Sequence, residues 1–533
     1  MYCICSKMKL LLISLQSNAS IVGLKYIAAH VRAKGHDSKI LLIPGYLEST
    51  LHPSLELFIK NYQPDLIGIG LMSIEFYPAK NITRLLKETF DVPIIWGGLH
   101  VILKPDECIH YVDYVCSGEG ENAVLSLLEH LGQKGRDEVP DIQNIWVNHG
   151  GQIIEKKAMP ETDLDALPVI EYIPDYFYGF HNGSIYNYSE HPRLFRRHAL
   201  YGGTCHMMIT TRGCPFYCGY CANAYTMKVF GKEIRKRSVD NCIEELKLVK
   251  KDPYVLYINF EDDWFFSHDR EWMRTFSEEY KRHINLPFMV RVFPGVLDRE
   301  KLFLLRDAGL SLVIMGVQSG SDRVNFEIYN RKVKFSSVSK AAELIHESRV
   351  APYYEMIADN PYETEADTME CIDAMAGLKR PYVISLSHLT FFPGTLLTER
   401  ALKENIIDPE AYLTRYMVKI ENTYFNKLLY LTPYISRKII TYLNKAEAER
   451  TTFHIYLLNT LSFITKRTIM PAVFFFVLAR GLNYNVNWTV RTVTGNWKSA
   501  LAKLLFNFLG KGDMEFDRRL AIARKEMPDL FHK

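Results

Sequence analysis

The chain has 533 residues, of which 48% are hydrophobic and 23% are charged, and its formal net charge is +3. This composition is typical of a globular protein rather than a disordered one, and the length is enough for about three domains. The small net charge gives no support for a nucleic-acid partner. Ten cysteines are too sparse for a secreted disulfide framework and no secretory signal precedes them, so we expect a cytoplasmic protein.

Short apolar runs alternate with helical patterns in the N-terminal third, from Lys9 to about Leu131. This alternation predicts an α/β domain with a doubly wound, flavodoxin-like parallel sheet. We predict strands at 10–13, 39–42, 66–71, 94–96 and 114–116, and helices at 22–34 and 77–90. Ligands on such sheets bind at the carboxyl ends of the strands.

Glycine-rich segments follow the third, fourth and fifth of these strands, at the edge where a ligand would bind. Glycine allows the backbone to approach a large flat ligand closely. The candidate ligand-binding residues are Gly70, Ser73, Gly97, Gly98, Leu99, His100, Ser117, Gly118, Glu119 and Gly120. The alternative is a flavodoxin-like domain that binds nothing, and a single histidine such as His100 often only satisfies a local hydrogen bond.

Three cysteines lie at the spacing C-x3-C-x2-C, at Cys214, Cys218 and Cys221. Thiolates are the usual ligands of a [4Fe–4S] cluster, and three of them would leave the fourth iron open for a substrate or cofactor. Small and bent residues between and beside the cysteines suit a loop that folds tightly around a cluster. A zinc site is the alternative, but it would normally show a second ligand pair at a matching distance, and none follows.

Strands and helices alternate again after the cysteines. We predict strands at 208–211, 255–260, 290–292, 312–317 and 354–358, and a helix at 299–308 that ends at Gly309. The candidate site residues on or after these strands are Glu261, Asp262, Asp263, Arg291, Gln318 and Ser319. Acidic groups at strand ends can accept hydrogen bonds from an ammonium group, and an arginine suits a carboxylate or a phosphate.

Residues 397–533 have helical periodicity and mixed charge. Their longest apolar run, 469–479, is too short to span a bilayer, which needs about 20 residues. Together with 453–464 it predicts a pair of buried helices. Contact of this region with a membrane surface or a lipid substrate is the alternative, which we do not favour.

The cysteine loop resembles the signature of radical S-adenosylmethionine (SAM) enzymes. Three further segments resemble later parts of that family's pattern and follow in the family's order, at 316–321, 359–364 and 392–395. In the second segment Tyr362 stands where the family has glycine, which makes a positive φ less favourable there. The N-terminal segment resembles the cobalamin (B12)-binding domain that precedes many radical SAM domains.

These resemblances imply a division of the chain into four parts. Residues 8–132 would form a cobalamin-binding Rossmann-like domain, 133–204 an irregular linker, 205–396 a partial (β/α)6 radical SAM barrel, and 397–533 a helical C-terminal domain. Many cobalamin domains carry a cobalt-ligating histidine after strand one. The corresponding loop, 14–20, has no histidine, so we expect cobalt to lack a histidine from this loop.

The same resemblances imply three cofactors and assign residues to them. Cys214, Cys218 and Cys221 would hold the [4Fe–4S] cluster, and the glycine-rich strand ends would hold cobalamin. The residues implied for SAM are Tyr220 at its adenine, Glu261, Asp262 and Asp263 at its amino group, Gln318 and Ser319 at its ribose or carboxylate, and Arg291.

The implied function is reductive cleavage of SAM to methionine and a 5′-deoxyadenosyl radical. Two cofactor domains in tandem predict cobalamin-dependent methyl transfer to an unactivated carbon of a small or natural-product-like substrate. Oxidative cyclisation or rearrangement without methyl transfer uses the same parts and stays open. A cobalamin-binding sensor or carrier would have no use for the cysteine loop, and methylthio transfer usually needs a further N-terminal cluster.

The expected partners are a small-molecule substrate and an electron donor such as flavodoxin or ferredoxin. The sequence assigns no catalytic acid or base, because no Ser/His/Asp or paired-carboxylate arrangement stands out.

Overall fold

The computed structural model describes residues 7–161, 163–414, 420–473, 476 and 521–531. Parts of the predicted helical region, 415–419 and 477–520, lie outside these residues, as do 474, 475 and 477–479 of the apolar run. Among the described residues, no helix is long and apolar enough to cross a membrane.

The N-terminal sheet has nine strands, and its central order β5-β4-β3-β1-β2 is the flavodoxin-like order of a doubly wound fold. Its strands are β1 Lys9–Ser14, β2 Asp37–Leu42, β3 Leu66–Gly70, β4 Ile94–Gly97, β5 Tyr114–Cys116, β6 Ile145–His149, β7 Gln152–Ile154, β8 Phe177–His181 and β9 Ser184–Asn187. Its helices are α1 Val22–Ala33, α2 Pro53–Tyr62, α3 Phe76–Thr89, α4 Leu99–Leu103, α5 Pro105–Cys108, α6 Glu121–Lys134 and α7 Pro192–His198. The predicted parallel sheet is confirmed.

The predicted irregular linker differs from the structure, because it contributes four strands to this sheet. Strand β6 pairs antiparallel with β5 and is followed by β7, while β8 adds parallel to β2 and is followed by β9. The two hairpins turn at Gly150-Gly151 and Asn182-Gly183, all four with positive φ. Such dipeptides are strong hairpin signals, so this part of the chain carried a local signal for strands.

The second sheet has six parallel strands in the order β10-β13-β14-β15-β16-β17, as expected for a partial barrel. They are β10 Cys205–Met208, β13 Tyr257–Phe260, β14 Phe288–Val292, β15 Leu310–Gln318, β16 Ala351–Ala358 and β17 Val383–His388, with a separate hairpin of β11 Thr211–Arg212 and β12 Arg235–Lys236. The helices are α8 Ala222–Phe230, α9 Val239–Val249, α10 Arg270–His283, α11 Arg299–Ala308, α12 Phe335–Ser348 and α13 Glu365–Ala376.

The predicted strand at 208–211 is wrong in its extent. Strand β10 ends at Met208, and Thr210 and Thr211 leave the sheet to bind the carboxylate of Asp262. The expectation for Tyr362 holds, since the positive φ in this turn lies at Asp359, at 55°.

The C-terminal region is helical as far as it is described. Its helices are α14 Leu396–Lys403, α15 Ala411–Thr414, α16 Tyr424–Leu431, α17 Arg437–Leu443 and α18 Thr452–Arg467. Helices α16 and α17 pack against α13, and α18 packs on α16. The predicted burial of the segment 453–464 is wrong for one face of α18, where Phe453, Tyr456 and Phe463 are 58%, 70% and 58% exposed.

Candidate active site between the two sheets

A cavity of about 550 Å³ separates the carboxyl ends of the first sheet from the segment that carries the cysteines. On the side of the first sheet its wall includes Gly70, Leu71, Met72, Gly97, Gly98, Leu99, Gly118, Glu119 and Gly120. On the side of the second sheet its wall includes Arg212, Gly213, Cys214, Glu261 and Asp263. One continuous space therefore connects the glycine-rich strand ends with the first cysteine and two of the acidic residues.

The glycines of this wall are held close to the protein behind them. Gly98 has φ +101°, and a Cβ added there would lie 2.6 Å from the carbonyl oxygen of Leu71. A Cβ added to Gly118 would lie 2.6 Å from the side chain of Asn144. Only glycine can hold the backbone so close to its neighbours, which leaves room on the cavity side for a large ligand.

Seven of the ten residues predicted at these strand ends line the cavity, and Ser73, His100 and Ser117 do not. His100 is fully buried, with its Nδ1 at 3.0 Å from Ser73 Oγ, and burial lowers its pKa to about 3. The Ser117 hydroxyl donates to the carbonyl of Asn144. Helix α4 begins at Leu99, so the next residue is rotated by about 100° into the core instead of facing the cavity.

The cysteine loop is fixed to two later segments of the chain. Gly219 N–H donates to the Tyr329 carbonyl at 2.6 Å, and the Asn330 side-chain amide donates to the Tyr217 carbonyl at 2.9 Å. The first residues of α14 close the loop from the other side, since Leu397 N–H donates to the Gly219 carbonyl at 2.8 Å. These contacts fix the backbone between the second and third cysteines relative to Tyr329, Asn330 and α14.

The three thiols lie close enough to affect one another's ionisation. Burial, together with the charges of Asp263 and the neighbouring cysteines, raises the pKa of Cys214 and of Cys221 to about 12. Burial also raises the pKa of Cys218, but the Arg331 cation and hydrogen bonds from Tyr220 and Arg331 oppose it. Thiols in such a setting stay protonated unless a bound metal displaces the proton.

Among the described residues, no three His, Cys, Asp or Glu side chains converge tightly enough to hold a single metal ion. A single zinc ion would draw its sulfur ligands to about 2.3 Å from one point. A four-iron cluster distributes its thiolates over separate irons and needs no such convergence.

The three consecutive acidic residues after β13 have different environments. Glu261 and Asp263 line the cavity, and Asp263 accepts a hydrogen bond from the Asn223 amide at 2.6 Å. Asp262 is fully buried and points the other way. Its Oδ1 accepts from the backbone N–H of Thr210 at 2.8 Å and from the hydroxyls of Thr210 and Thr211 at 2.7 and 2.8 Å. Asp262 does not line the cavity, and its Oδ1 fixes the chain before the cysteine loop, so its role at SAM stays a prediction that this geometry does not support.

Arg291, on strand β14 of the second sheet, is paired with a carboxylate on each side. Its Nε donates to Glu261 at 2.9 Å and its Nη1 donates to Glu355 at 3.0 Å. The predicted site did not include Glu355, although a glutamate within the otherwise uncharged strand β16 is a visible signal. Arg291 is therefore no free cation for an anionic ligand, since any such ligand would have to compete with two carboxylates.

Arg331 is a second arginine of this site, and no motif in the sequence singles it out. Its guanidinium donates to the carbonyls of Val317, at 2.7 Å, and Gly316, and lies 4.7 Å from the Phe293 ring centre. It also hydrogen-bonds the sulfur of Cys218. The site thus places a buried cation directly beside a cysteine.

Two family models match the chain. The radical SAM superfamily model matches residues 208–375, and the B12-binding domain model matches residues 8–128. These ranges are the segments that build the two sides of the cavity. The chain is a radical SAM enzyme with a B12-binding domain.

Relatives of this radical SAM enzyme include proteins with different reactions in their names. Cytidylyl-2-hydroxyethylphosphonate methyltransferase of Streptomyces wedmorensis is 25% identical, over 75% of this chain and 80% of that protein. Anaerobic magnesium-protoporphyrin IX monomethyl ester cyclase of Rubrivivax gelatinosus is 22% identical, over 73% of this chain and 67% of that protein. The solved structure of the cobalamin-dependent SAM radical enzyme OxsB, with aqua-cobalamin and SAM bound, aligns with a TM-score of 0.65 at 14% identity, over 99% of this chain and 85% of that one.

The radical SAM enzyme uses a [4Fe–4S] cluster, SAM and cobalamin, and its residues fit these groups. Three coupled thiols on a fixed loop suit the cluster, and the glycine-lined wall offers backbone to a flat macrocycle. None of the described residues lining the cavity is a histidine.

Three further residues were predicted to bind SAM. Gln318 has an unusual backbone conformation, whereas Ser319 and Tyr220 contact other protein groups. Gln318 has φ +70°, a strained conformation that often marks a functional position, and its amide lies over Gly316. Ser319 is buried, and its hydroxyl accepts from the Ser321 N–H. Tyr220 hydrogen-bonds Cys218 and packs edge-on against Tyr329 at 5.0 Å.

Proposed function

We propose that this enzyme transfers a methyl group, by a cobalamin-dependent radical reaction, to an unactivated carbon of a small or natural-product-like molecule. The observation that supports this most is the single cavity that joins the glycine-rich strand ends to Cys214, Glu261 and Asp263. Methyl transfer needs the methyl donor and the radical source next to the same substrate carbon. A shared cavity meets that requirement, whereas two separate pockets would not.

When bound, the cluster and SAM supply the radical and cobalamin supplies the methyl group. In this proposal Cys214, Cys218 and Cys221 bind the cluster. Glu261 and Asp263 accept hydrogen bonds from the ammonium group of SAM, because both carboxylates open into the cavity. The Gly97–Leu99 and Gly118–Gly120 segments would hold cobalamin.

Aromatic side chains shield the cysteine loop. Phe216, which lies between the first two cysteines, stacks on Phe293 with ring centres 3.7 Å apart and planes within 6°. Trp264 packs against the ring of Phe216, with ring centres 5.5 Å apart. Exclusion of water protects a reactive carbon radical from side reactions, so we assign this cluster of rings a protective role.

The proposed domain limits remain 8–132 for cobalamin and 205–396 for the radical reaction, with 133–204 between them and 397–533 after them. The four strands that 133–204 adds to the first sheet support counting it with the cobalamin domain. We propose that a flavodoxin or ferredoxin supplies the electron for SAM cleavage.

Isotope labelling tests the proposed reaction. Anaerobic enzyme with cobalamin and a low-potential reductant is incubated with SAM labelled in its methyl group, with and without candidate substrates. We expect label in the corrinoid fraction and in a product, with 5′-deoxyadenosine formed alongside. The Cys214→Ala variant should form neither. A product without label, together with 5′-deoxyadenosine, would overturn methyl transfer.

Oxidative cyclisation is the second candidate, and the similarity to the cyclase of Rubrivivax gelatinosus supports it. The same residues would serve it, since it also begins with abstraction of a hydrogen atom from the substrate. The two candidates differ in the product mass, which rises by a methyl group in one and falls by lost hydrogens in the other.

A further inference from the structure

Glu119 connects the cavity wall of the first domain to the segment that carries the cysteines. It lies between Gly118 and Gly120, both of which line the cavity. Its carboxylate accepts from Arg235 Nη1 at 2.6 Å and Nη2 at 2.8 Å, and Arg212 Nη1 lies 3.5 Å away. A two-pronged arginine–carboxylate contact fixes orientation as well as distance.

The two arginines are partners in one small hairpin. Arg212 of β11 lies opposite Arg235 of β12 in the antiparallel register, and it precedes Cys214 by two residues. Gly213, which lies between Arg212 and Cys214, has φ +108°, and a Cβ added there would lie 2.9 Å from the Glu233 carbonyl oxygen. The position of this hairpin therefore fixes the backbone position of Cys214.

The charges in this contact are balanced and shielded from solvent. Glu121 pairs with Arg212 at 2.6 Å, so two carboxylates face two guanidinium groups. The side chains of Arg235 and Glu119 are only 9% and 12% exposed. The linker joins the same network, because Glu161 N–H donates to Glu119 at 2.6 Å and the Glu161 carbonyl accepts from Arg235 at 2.5 Å. Salt screens such a buried network much less than a surface ion pair.

We propose that Glu119 is a positioning residue that couples corrin binding in the cavity to the placement of the cysteine loop. A corrin packed on the Gly118–Gly120 segment would order that segment and, through Glu119, the hairpin that leads to Cys214. A cluster bound at the cysteines would order the same hairpin from the other side. When one cofactor is bound, less conformational entropy of the hairpin is lost on binding of the other. Each cofactor therefore raises the affinity for the other by the same factor.

This proposal rests on the placement of the corrin given under Proposed function, but it does not require methyl transfer. The test measures the dissociation constant of hydroxocobalamin for the full chain by anaerobic equilibrium dialysis. It compares protein with its cluster and protein from which a chelator has removed the cluster. For the wild type we expect binding to be at least about fivefold tighter with the cluster present.

The Glu119→Gln variant should bring this ratio to about one, whatever its cluster-free dissociation constant. The matched control is Glu138→Gln, which breaks an exposed pair with Lys134 on the same domain and should keep the wild-type ratio. Arg235→Lys keeps the charge but loses the two-pronged contact. Its ratio should lie between that of the wild type and that of Glu119→Gln. Arg235→Lys also decides the question if Glu119→Gln fails to fold.

A wild-type ratio of one, or a wild-type ratio in Glu119→Gln, would overturn the coupling and leave the proposed reaction standing. A wild type that binds no cobalamin at all would overturn the placement of the corrin, and the coupling with it. Loss of label transfer with an intact ratio would count against the proposed reaction alone.

Discussion

The carboxylate of Asp262 accepts a hydrogen bond from the backbone N–H of Thr210 at 2.8 Å, across the gap between two neighbouring strand ends. Thr210 is four residues before Cys214, and Asp262 directly follows Glu261 and precedes Asp263. This contact therefore fixes the start of the cysteine loop relative to the two carboxylates that open into the cavity. Asp262 itself does not line the cavity.

Replacement of Asp262 by asparagine should change how stability depends on pH. Burial raises the pKa of Asp262 to about 6 from an ordinary value of 3.8, although hydrogen bonds from Thr210 and Thr211 oppose the shift. Between these two pH values the folded protein holds a proton that the unfolded chain has lost. The stability due to this proton is fully present below about pH 4 and is lost as the pH rises through about 6.

Asparagine has no such proton to lose. The free energy of unfolding of the wild type minus that of Asp262→Asn should therefore fall by about 3 kcal/mol between about pH 4 and pH 7. Urea unfolding of cluster-free protein at a series of pH values measures this difference. A difference for Asp262→Asn that does not vary with pH would contradict the raised pKa of this carboxyl.

Replacement of any one of Cys214, Cys218 and Cys221 by alanine should remove most of the iron from anaerobically purified protein. Two remaining thiolates cannot hold a cubane cluster against a competing chelator. Cys242 is buried on α9, away from the loop, and Cys242→Ala should keep its iron. Iron analysis and the visible absorbance of the cluster provide the measurement, and retention of iron by all three single variants would contradict the assignment.

Replacement of Gly97 by larger residues should weaken cobalamin binding in steps. Gly97 lines the cavity, and a Cβ added there meets only the Cys116 Cβ, at an ordinary 3.6 Å. Alanine should therefore be tolerated, valine should reduce affinity, and leucine should abolish binding, because the added volume occupies the cavity. Equilibrium dialysis with hydroxocobalamin measures the series. Iron content should stay constant throughout, and wild-type affinity in Gly97→Leu would mean that the corrin lies elsewhere.

Replacement of Arg331 by methionine should lower the reduction potential of the cluster. A cation beside the sulfur of Cys218 favours the reduced cluster, which carries one more negative charge. We expect a fall on the order of tens of millivolts in a redox titration followed by electron paramagnetic resonance. Arg331→Lys keeps the charge and should shift the potential less. An unchanged potential in the methionine variant would limit Arg331 to its contacts with the Gly316 and Val317 carbonyls.

Elements with strong local signals could be predicted closely from the sequence. Helix α11 lies at Arg299–Ala308 as predicted, because Asp298 caps its first turn and Gly309, with φ +122°, ends it. The core strands of the first sheet were predictable because short apolar runs stand between polar turns. The strands of the segment 133–204 were missed although both hairpin turns were visible, because β6 and β8 join the sheet through β5 and β2, which lie far earlier in the sequence.

The direction of individual side chains was the part that the sequence could not supply. Three consecutive acidic residues look alike in the sequence, yet Asp262 faces Thr210 while its two neighbours face the cavity. His100 and Gly98 lie in the same segment, but the start of α4 turns the histidine into the core. The partners of Arg291 and Glu119 come from other elements, so their ion pairs depend on the packing of the two sheets.

The most direct test of this account is a count of metals in the protein purified without oxygen after co-expression with a supply of cobalamin. If one cavity serves both cofactors, the protein should hold about four irons and one cobalt per chain, and Gly97→Leu should lose the cobalt but keep the iron. Four irons without cobalt in the wild type would contradict the account. The cavity would then serve another ligand, and methyl transfer from cobalamin would be ruled out.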